Sequence, residues 1–151
     1  MFLYNEVQKR EANQERVRVG LIGAGKFGSM FLSQAPFTIG LEVRSIVDIS
    51  VENAKKNCRD VGWTEEQIES VLFFDNLKKM ISQTKIDVLV EATGDPVEGT
   101  RHALIAIEEG LDIVMVNVEA DVLSGPYLAK EADKAGICLL YTSDAADDRL
   151  S

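Results

Sequence analysis

Histidine occurs once in this chain, cysteine twice and proline three times, and basic residues are scarce, 16 against 25 acidic ones. The net charge of −9 argues against nucleic acid or an anionic membrane as partner, because both reward positive charge. No apolar run approaches the roughly 20 residues needed to cross a bilayer. Residues 1–16 carry only a brief Phe2-Leu3-Tyr4 patch before a charged stretch, so they do not read as a secretory signal. Cys58 and Cys138 have neither metal-ligand spacing nor disulfide density, which fits a reducing cytoplasm. A single histidine, His102, leaves no multi-histidine metal site and no Ser–His pair. It falls within a predicted helix, away from the strand tips, and reads as a surface or packing residue. No metal is expected.

What is present is a globular composition, 46% hydrophobic and 27% charged, in a length that suits one domain with a real core. Val17-Arg18-Val19-Gly20-Leu21-Ile22 is an apolar, β-branched run. It enters the glycine turn Gly23-Ala24-Gly25-Lys26-Phe27-Gly28, and the turn opens an amphipathic segment over 26–35. Asp48 ends the next apolar run, twenty residues past Gly28. A glycine turn between strand and helix with an acid at this distance is the fingerprint of a dinucleotide site. Gly23 permits the tight turn, Gly25 lets a pyrophosphate approach the backbone, and Gly28 lets the helix pack closely on the sheet. The free N–H groups and positive dipole end of that helix face the phosphates. Asp48 can accept hydrogen bonds from ribose hydroxyls. Its charge favours NAD over NADP, since a carboxylate repels a 2′-phosphate. Lys55 and Lys56 follow it and are either partners for such a phosphate or simply solvated.

Along the chain, residues 5–16 are polar and read as a loosely attached helix or frayed arm. Strands are expected at Val17–Ile22, 41–49, 71–74, 86–92 and 111–116, with a sixth starting at Ile137. Helices alternate with them: 26–35; 51–59 capped by Ser50; 65–70 with a Thr64/Gln67 capping box; 76–83 capped by Asp75; Pro96–Glu109 after Asp95; and 127–135 introduced by Ser124-Gly125-Pro126. Repeated strand–helix alternation implies an α/β fold, a doubly wound parallel sheet with right-handed crossovers. Trp63, Phe73 and Phe74 read as core or interface anchors, and Cys58 has no base nearby in sequence to activate it.

The tail needs a separate account. Cys138-Leu139-Leu140-Tyr141-Thr142-Ser143-Asp144-Ala145-Ala146-Asp147 translates the codons TGT CTC TTA TAC ACA TCT GAC GCT GCC GAC. That string resembles the end of a transposon-type sequencing-library adapter. Residues 138–151 are therefore expected to be adapter read-through rather than native protein, and the natural chain to continue into a catalytic domain absent here. The adapter residues Leu139-Leu140-Tyr141 happen to be apolar enough to extend a sixth strand.

Ligands in an open α/β sheet sit beyond the carboxyl ends of its strands. Three strand-ending segments therefore rim one crevice: Asp48; Glu91-Ala92-Thr93-Gly94-Asp95-Pro96; and Val116-Asn117-Val118-Glu119-Ala120-Asp121. Ala92, Thr93 and Gly94 offer small side chains and accessible backbone beside the nicotinamide half of a dinucleotide, and the same residues suit a helix-start turn. Asn117 is placed to hydrogen-bond the carboxamide or the substrate, and Glu119 to act in proton transfer. Both also read as solvent-facing loop residues.

The glycine-turn segment, Val90 to Pro96, and Val114-Met115-Val116-Asn117-Val118-Glu119-Ala120-Asp121-Val122-Leu123 together resemble the homoserine-dehydrogenase-like NAD(P)-dependent oxidoreductases. That family often carries a C-terminal SAF domain, and one branch is likened to deoxyxylulose-phosphate reductoisomerase. The resemblance spans residues 16–137. It implies a Rossmann NAD(P)-binding domain, truncated here before a catalytic and dimerising domain. It also implies NAD or NADP as cofactor, a small-molecule substrate and a cytoplasmic homo-oligomer at full length. Homoserine dehydrogenases end the fifth strand with Thr-Ala-Asn-Lys. Here Asn117 matches the asparagine but Val118 and Glu119 follow it, which points away from homoserine as the substrate. A sugar-phosphate reductoisomerase-like enzyme and a non-catalytic NAD(H)-sensing module are the alternatives.

Overall fold

The computed structural model describes residues 2–116 and 118–142. Six parallel strands form one sheet in the order β3-β2-β1-β4-β5-β6. They are β1 (Val17–Ile22), β2 (Leu41–Val47), β3 (Leu72–Phe74), β4 (Val88–Glu91), β5 (Asp112–Met115) and β6 (Leu139–Tyr141). The doubly wound expectation holds. β1 and β4 are neighbours, with Ile22 opposite Glu91, so the order reverses between them.

The central strands are apolar on both faces because helices cover both. Successive residues divide between two cores: Leu21 and Val90 face one side, Ile22 and Leu89 the other. The first side is covered by α2 (Lys26–Gln34), α3 (Val51–Asp60) and α4 (Glu65–Glu69), through Leu32, Ala54, Cys58 and Ile68, with Trp63 added from the turn between α3 and α4. The second is covered by α5 (Leu77–Gln83), α6 (Pro96–Glu109) and α7 (Val118–Ala135), through Met80, Ala103, Ala106, Ala120 and Leu128. Trp63 is the expected anchor: it is buried, and its Nε1 donates to the Leu32 carbonyl at 2.7 Å.

Caps form where local chemistry places them. Ser50 accepts from Asn53 N, the Thr64/Gln67 capping box closes in both directions, and Asp95 accepts from Val97 N and Glu98 N. Two expectations need correcting. Asn76, not Asp75, caps α5 by accepting from Lys79 N, and Asp75 pairs with the Lys79 ammonium at 3.0 Å instead. Ser124-Gly125-Pro126 does not start a helix, because α7 begins at Val118 and carries Pro126 inside it. A buried stripe at Ala120, Gly125, Leu128 and Ala132 keeps that helix continuous against α6. The Thr100 and Ser124 hydroxyls hydrogen-bond at 2.8 Å between the two helices.

The N-terminal arm is helical, α1 (Phe2–Ala12), with no buried residue. It is tied down at its far end. Glu11 accepts the Gly40 N–H at 2.7 Å and pairs with Arg16, whose guanidinium holds the Glu11 carboxyl down at about 2. β6 forms from Leu139–Tyr141, with Tyr141 buried and paired in register with Met115. Among the described residues no helix is long and apolar enough to cross a membrane.

Candidate functional site

At the exit of β1 the chain turns through Gly23, whose φ of +90° excludes most side chains. A Cβ there would also come within 3.0 Å of the Thr93 backbone, so the turn lies directly against the exit of β4. A Cβ on Gly28 would land on the Gly23 carbonyl oxygen, which explains the third glycine of the motif. Gly25 differs from both: nothing lies within 4 Å of the position its Cβ would take. Gly25 is the N-cap of α2 and no side chain caps that helix. The first-turn N–H groups of Lys26, Phe27 and Gly28 are therefore left for solvent or an anion.

The turn is clamped from two sides. Asp48 accepts from Ala24 N with Oδ2 and from Ser50 N with Oδ1, both at 2.9 Å. The carboxylate and the glycine turn thus stand in contact, as the dinucleotide reading requires. Two of the roughly four lone-pair sites of the carboxylate remain for a ligand. From α3, Asn57 Nδ2 donates to the Ala24 carbonyl at 2.7 Å. The sequence singles out nothing at Asn57, whose role depends on α3 lying beside the turn.

Beyond β4 lies a cluster that the linear pattern does not disclose. Glu91 is completely buried, yet its carboxylate accepts from Thr93 N at 2.8 Å and Thr93 Oγ1 at 2.7 Å, and its Oε2 shares a hydrogen bond with His102 Nδ1 at 2.8 Å. A buried carboxylate is tolerated when donors surround it in this way. Of the two readings of His102, surface or packing, the structure supports packing, but not the expected place away from the strand tips. His102 faces the tip of β4 from the second turn of α6, with its side chain 14% exposed.

These elements enclose a cleft of about 590 Å³, a size typical of small-molecule sites. Gly25, Asp48, Thr93 and His102 all line it, and it runs between α5 and α6 over the switch between β1 and β4. Ile49 stands on its wall and is 97% exposed. Gly94, at φ +76°, places its backbone beside Phe27, which is about half exposed. Ala92 is buried in the core and its N–H is committed to the Ile22 carbonyl. Neither lysine considered for a 2′-phosphate lines the cleft: Lys56 pairs with Asp60 at 2.7 Å and Lys55 Nζ lies 5.4 Å from the Phe73 ring centre. The cations on its walls are Lys78 and Arg101. Glu119 sits in the first turn of α7, and Asn117 lies outside the described residues. Among the described residues no group of three or more His, Cys, Asp or Glu side chains is placed to hold a metal ion.

Cys58 is buried in the core behind this site, and burial pushes its thiol up to about 11. It is a packing residue.

Comparison with known proteins agrees with this geometry. The family profile described as homoserine dehydrogenase, NAD binding domain, matches residues 19–142. Homoserine dehydrogenase of Mycobacterium tuberculosis (strain ATCC 25618 / H37Rv) is 26% identical over 145 residues, covering 89% of this chain and 30% of that enzyme. Among solved structures, a homoserine dehydrogenase from Thiobacillus denitrificans superposes with a TM-score of 0.69 at 17% identity, over 83% of this chain and 29% of that one. The WlbA dehydrogenase of Bordetella pertussis, solved with NADH and UDP-GlcNAcA, superposes at 0.66 with 20% identity, over 88% of this chain and 38% of that one. The chain thus spans about a third of the length of the proteins it matches. With a parallel sheet in Rossmann order and a bare glycine turn held against an acid at the switch point, the chain belongs to the family of homoserine dehydrogenase NAD-binding domains.

Proposed function

We propose that this domain serves an oxidoreductase that moves hydride between NAD and a carbonyl or hydroxyl group of a small polar metabolite. The observation that carries the reading is the contact between Ala24 N–H and the Asp48 carboxylate beside the open face of Gly25. In this reading the turn from Gly23 to Gly28 and the first N–H groups of α2 hold the pyrophosphate, and Asp48 holds the ribose hydroxyls. Thr93 and Gly94 line the path towards the nicotinamide, with Asn117 and Glu119 near its reacting end. The nicotinamide supplies the hydride chemistry when bound, and the chain supplies position and charge. Val118 and Glu119 follow Asn117 where the family's asparagine is followed by lysine, and this departure favours a substrate other than homoserine. The native domain spans residues 16–137, and the full-length enzyme works in the cytoplasm as a homo-oligomer.

The test is a titration of the 151-residue chain with NADH and NADPH, followed by protein fluorescence. NADH binds more tightly, and Asp48→Ala narrows the gap by removing the charge that opposes a 2′-phosphate. Absence of binding by either coenzyme refutes the reading. Unchanged discrimination in the variant removes Asp48 from it.

A further inference from the structure

We propose that Glu91 is a positioning residue for the coenzyme: without touching the ligand, it holds the Thr93 turn where that turn supports the glycine turn from the β4 side. This rests on the dinucleotide reading of the cleft and gives a role to a buried acid outside it.

Glu91 closes β4 with its side chain fully buried, and it does not line the cleft. A carboxylate in a core costs more than an apolar side chain of similar size unless donors surround it. This one is surrounded, and its donors show what it holds. Its Oε1 accepts from Thr93 N at 2.8 Å and from Thr93 Oγ1 at 2.7 Å, so Thr93 is fixed at main chain and side chain at once. The Thr93 hydroxyl in turn accepts from Asp95 N, the N-cap residue of α6, at 3.3 Å. The hold on Thr93 does not depend on which proton the neighbouring His102 imidazole carries.

Thr93 is also what the glycine turn rests on. The Cβ position of Gly23 lies 3.0 Å from both Thr93 Cα and Thr93 N, so the two segments leave no room for a side chain between them. In the sheet β1 runs between β2 and β4, and Ile22 pairs with Val47 on one side and with Glu91 on the other. The turn that leaves β1 is therefore held by one acid from the end of each neighbouring strand. Asp48 follows β2 and accepts from Ala24 N directly, whereas Glu91 ends β4 and acts through the Thr93 turn. An acid shorter by one methylene draws back from the Thr93 donors, the Thr93 turn shifts, and Gly23 follows it. The Gly25 main chain and the first N–H groups of α2 then lose their alignment on the pyrophosphate.

NADH titrations of Glu91→Asp and Glu91→Gln test this, each at a temperature where thermal unfolding shows the variant folded. Glu91→Asp is expected to bind roughly ten-fold or more weakly than wild type, the size of one lost charge-assisted hydrogen bond to the pyrophosphate. Glu91→Gln keeps an oxygen at the Oε1 position for both Thr93 donors and is expected to bind within about three-fold of wild type. Leu128→Ala, a core truncation outside the cleft lining, is expected to lower Tm and leave NADH binding unchanged. Should a Glu91 variant fail to fold, Thr93→Val and Thr93→Ser carry the test. The valine removes the hydroxyl that Glu91 holds and weakens NADH binding roughly three-fold or more, and the serine, which keeps the hydroxyl, does not. Four results overturn the inference and leave the coenzyme site standing: Glu91→Asp binding like wild type, Glu91→Gln binding as weakly as Glu91→Asp, equal binding by the two Thr93 variants, or an equal loss in Leu128→Ala. If the wild-type chain does not bind NADH, the proposed function fails instead.

Discussion

Alanine at Gly25 and alanine at Gly28 are the same chemical change three residues apart, and the structure assigns them opposite effects. At Gly28 the new methyl meets the Gly23 carbonyl oxygen, which belongs to the backbone and cannot swing away. Helix α2 must lift from the turn, an overpacking cost at the upper end of the usual range, about 3 kcal/mol. In a chain of this size that corresponds to a fall in Tm of about 6–12 °C. At Gly25 the methyl meets nothing within 4 Å, so the fold changes by less than about 1 kcal/mol. The methyl instead occupies the approach to the first turn of α2. Losing even one charge-assisted hydrogen bond there costs about 1.5–3 kcal/mol, at least roughly ten-fold in Kd for NADH. Thermal unfolding and NADH titration of the two variants read both quantities. A Gly25→Ala chain that melts as early as Gly28→Ala, or that binds NADH like the wild type, refutes the assignment of the open face to the coenzyme.

Two further outcomes follow from charge and burial. Arg18 donates to Asp87 through its guanidinium and its backbone N–H, holding the Asp87 carboxyl down at about 2. Because the folded value lies below the ordinary one, this contact stabilises the fold above about pH 4, and its contribution disappears as the pH falls towards 2. The Asp87 side chain is 39% exposed, so screening limits the effect to about 1 kcal/mol. Urea midpoints of wild type and Asp87→Asn should differ at pH 6 and converge near pH 2, and a constant gap would contradict the pairing. Cys58, with its thiol raised to about 11 and fully buried, should resist alkylation at pH 8, while the exposed Cys138 reacts promptly. Mass spectrometry of the partly alkylated chain decides, and rapid labelling of Cys58 would show that α3 opens.

The legible parts of the molecule are those whose causes lie within a few residues of one another. β1 spans the predicted residues, and Ser50, Thr64 with Gln67, and Asp95 cap the helices they precede. The glycine turn and Asp48 were also readable, because strand, turn and helix follow one another directly. Glu91 and His102 were not. One ends a strand, the other lies eleven residues on, inside the following helix, and only the packing of α6 on the sheet brings the imidazole back to the carboxylate. Asn57 escapes notice for the same reason, since its partner at Ala24 belongs to another element. The break expected at Ser124-Gly125-Pro126 failed differently. Local turn chemistry opposed a continuous helix, and the apolar stripe of α7 against α6 prevailed.

Position 48 serves two masters in the fold, the bend before α2 and the start of α3, and the proposed function gives it a third, the sugar of the coenzyme. Redirecting this scaffold towards phosphorylated coenzymes by deleting the acid would strip two main-chain amides of their acceptor and slacken the very loop that must grip the ligand. A workable redesign keeps an oxygen facing Ala24 and adds its cation elsewhere on the wall, where Lys78 and Arg101 already stand.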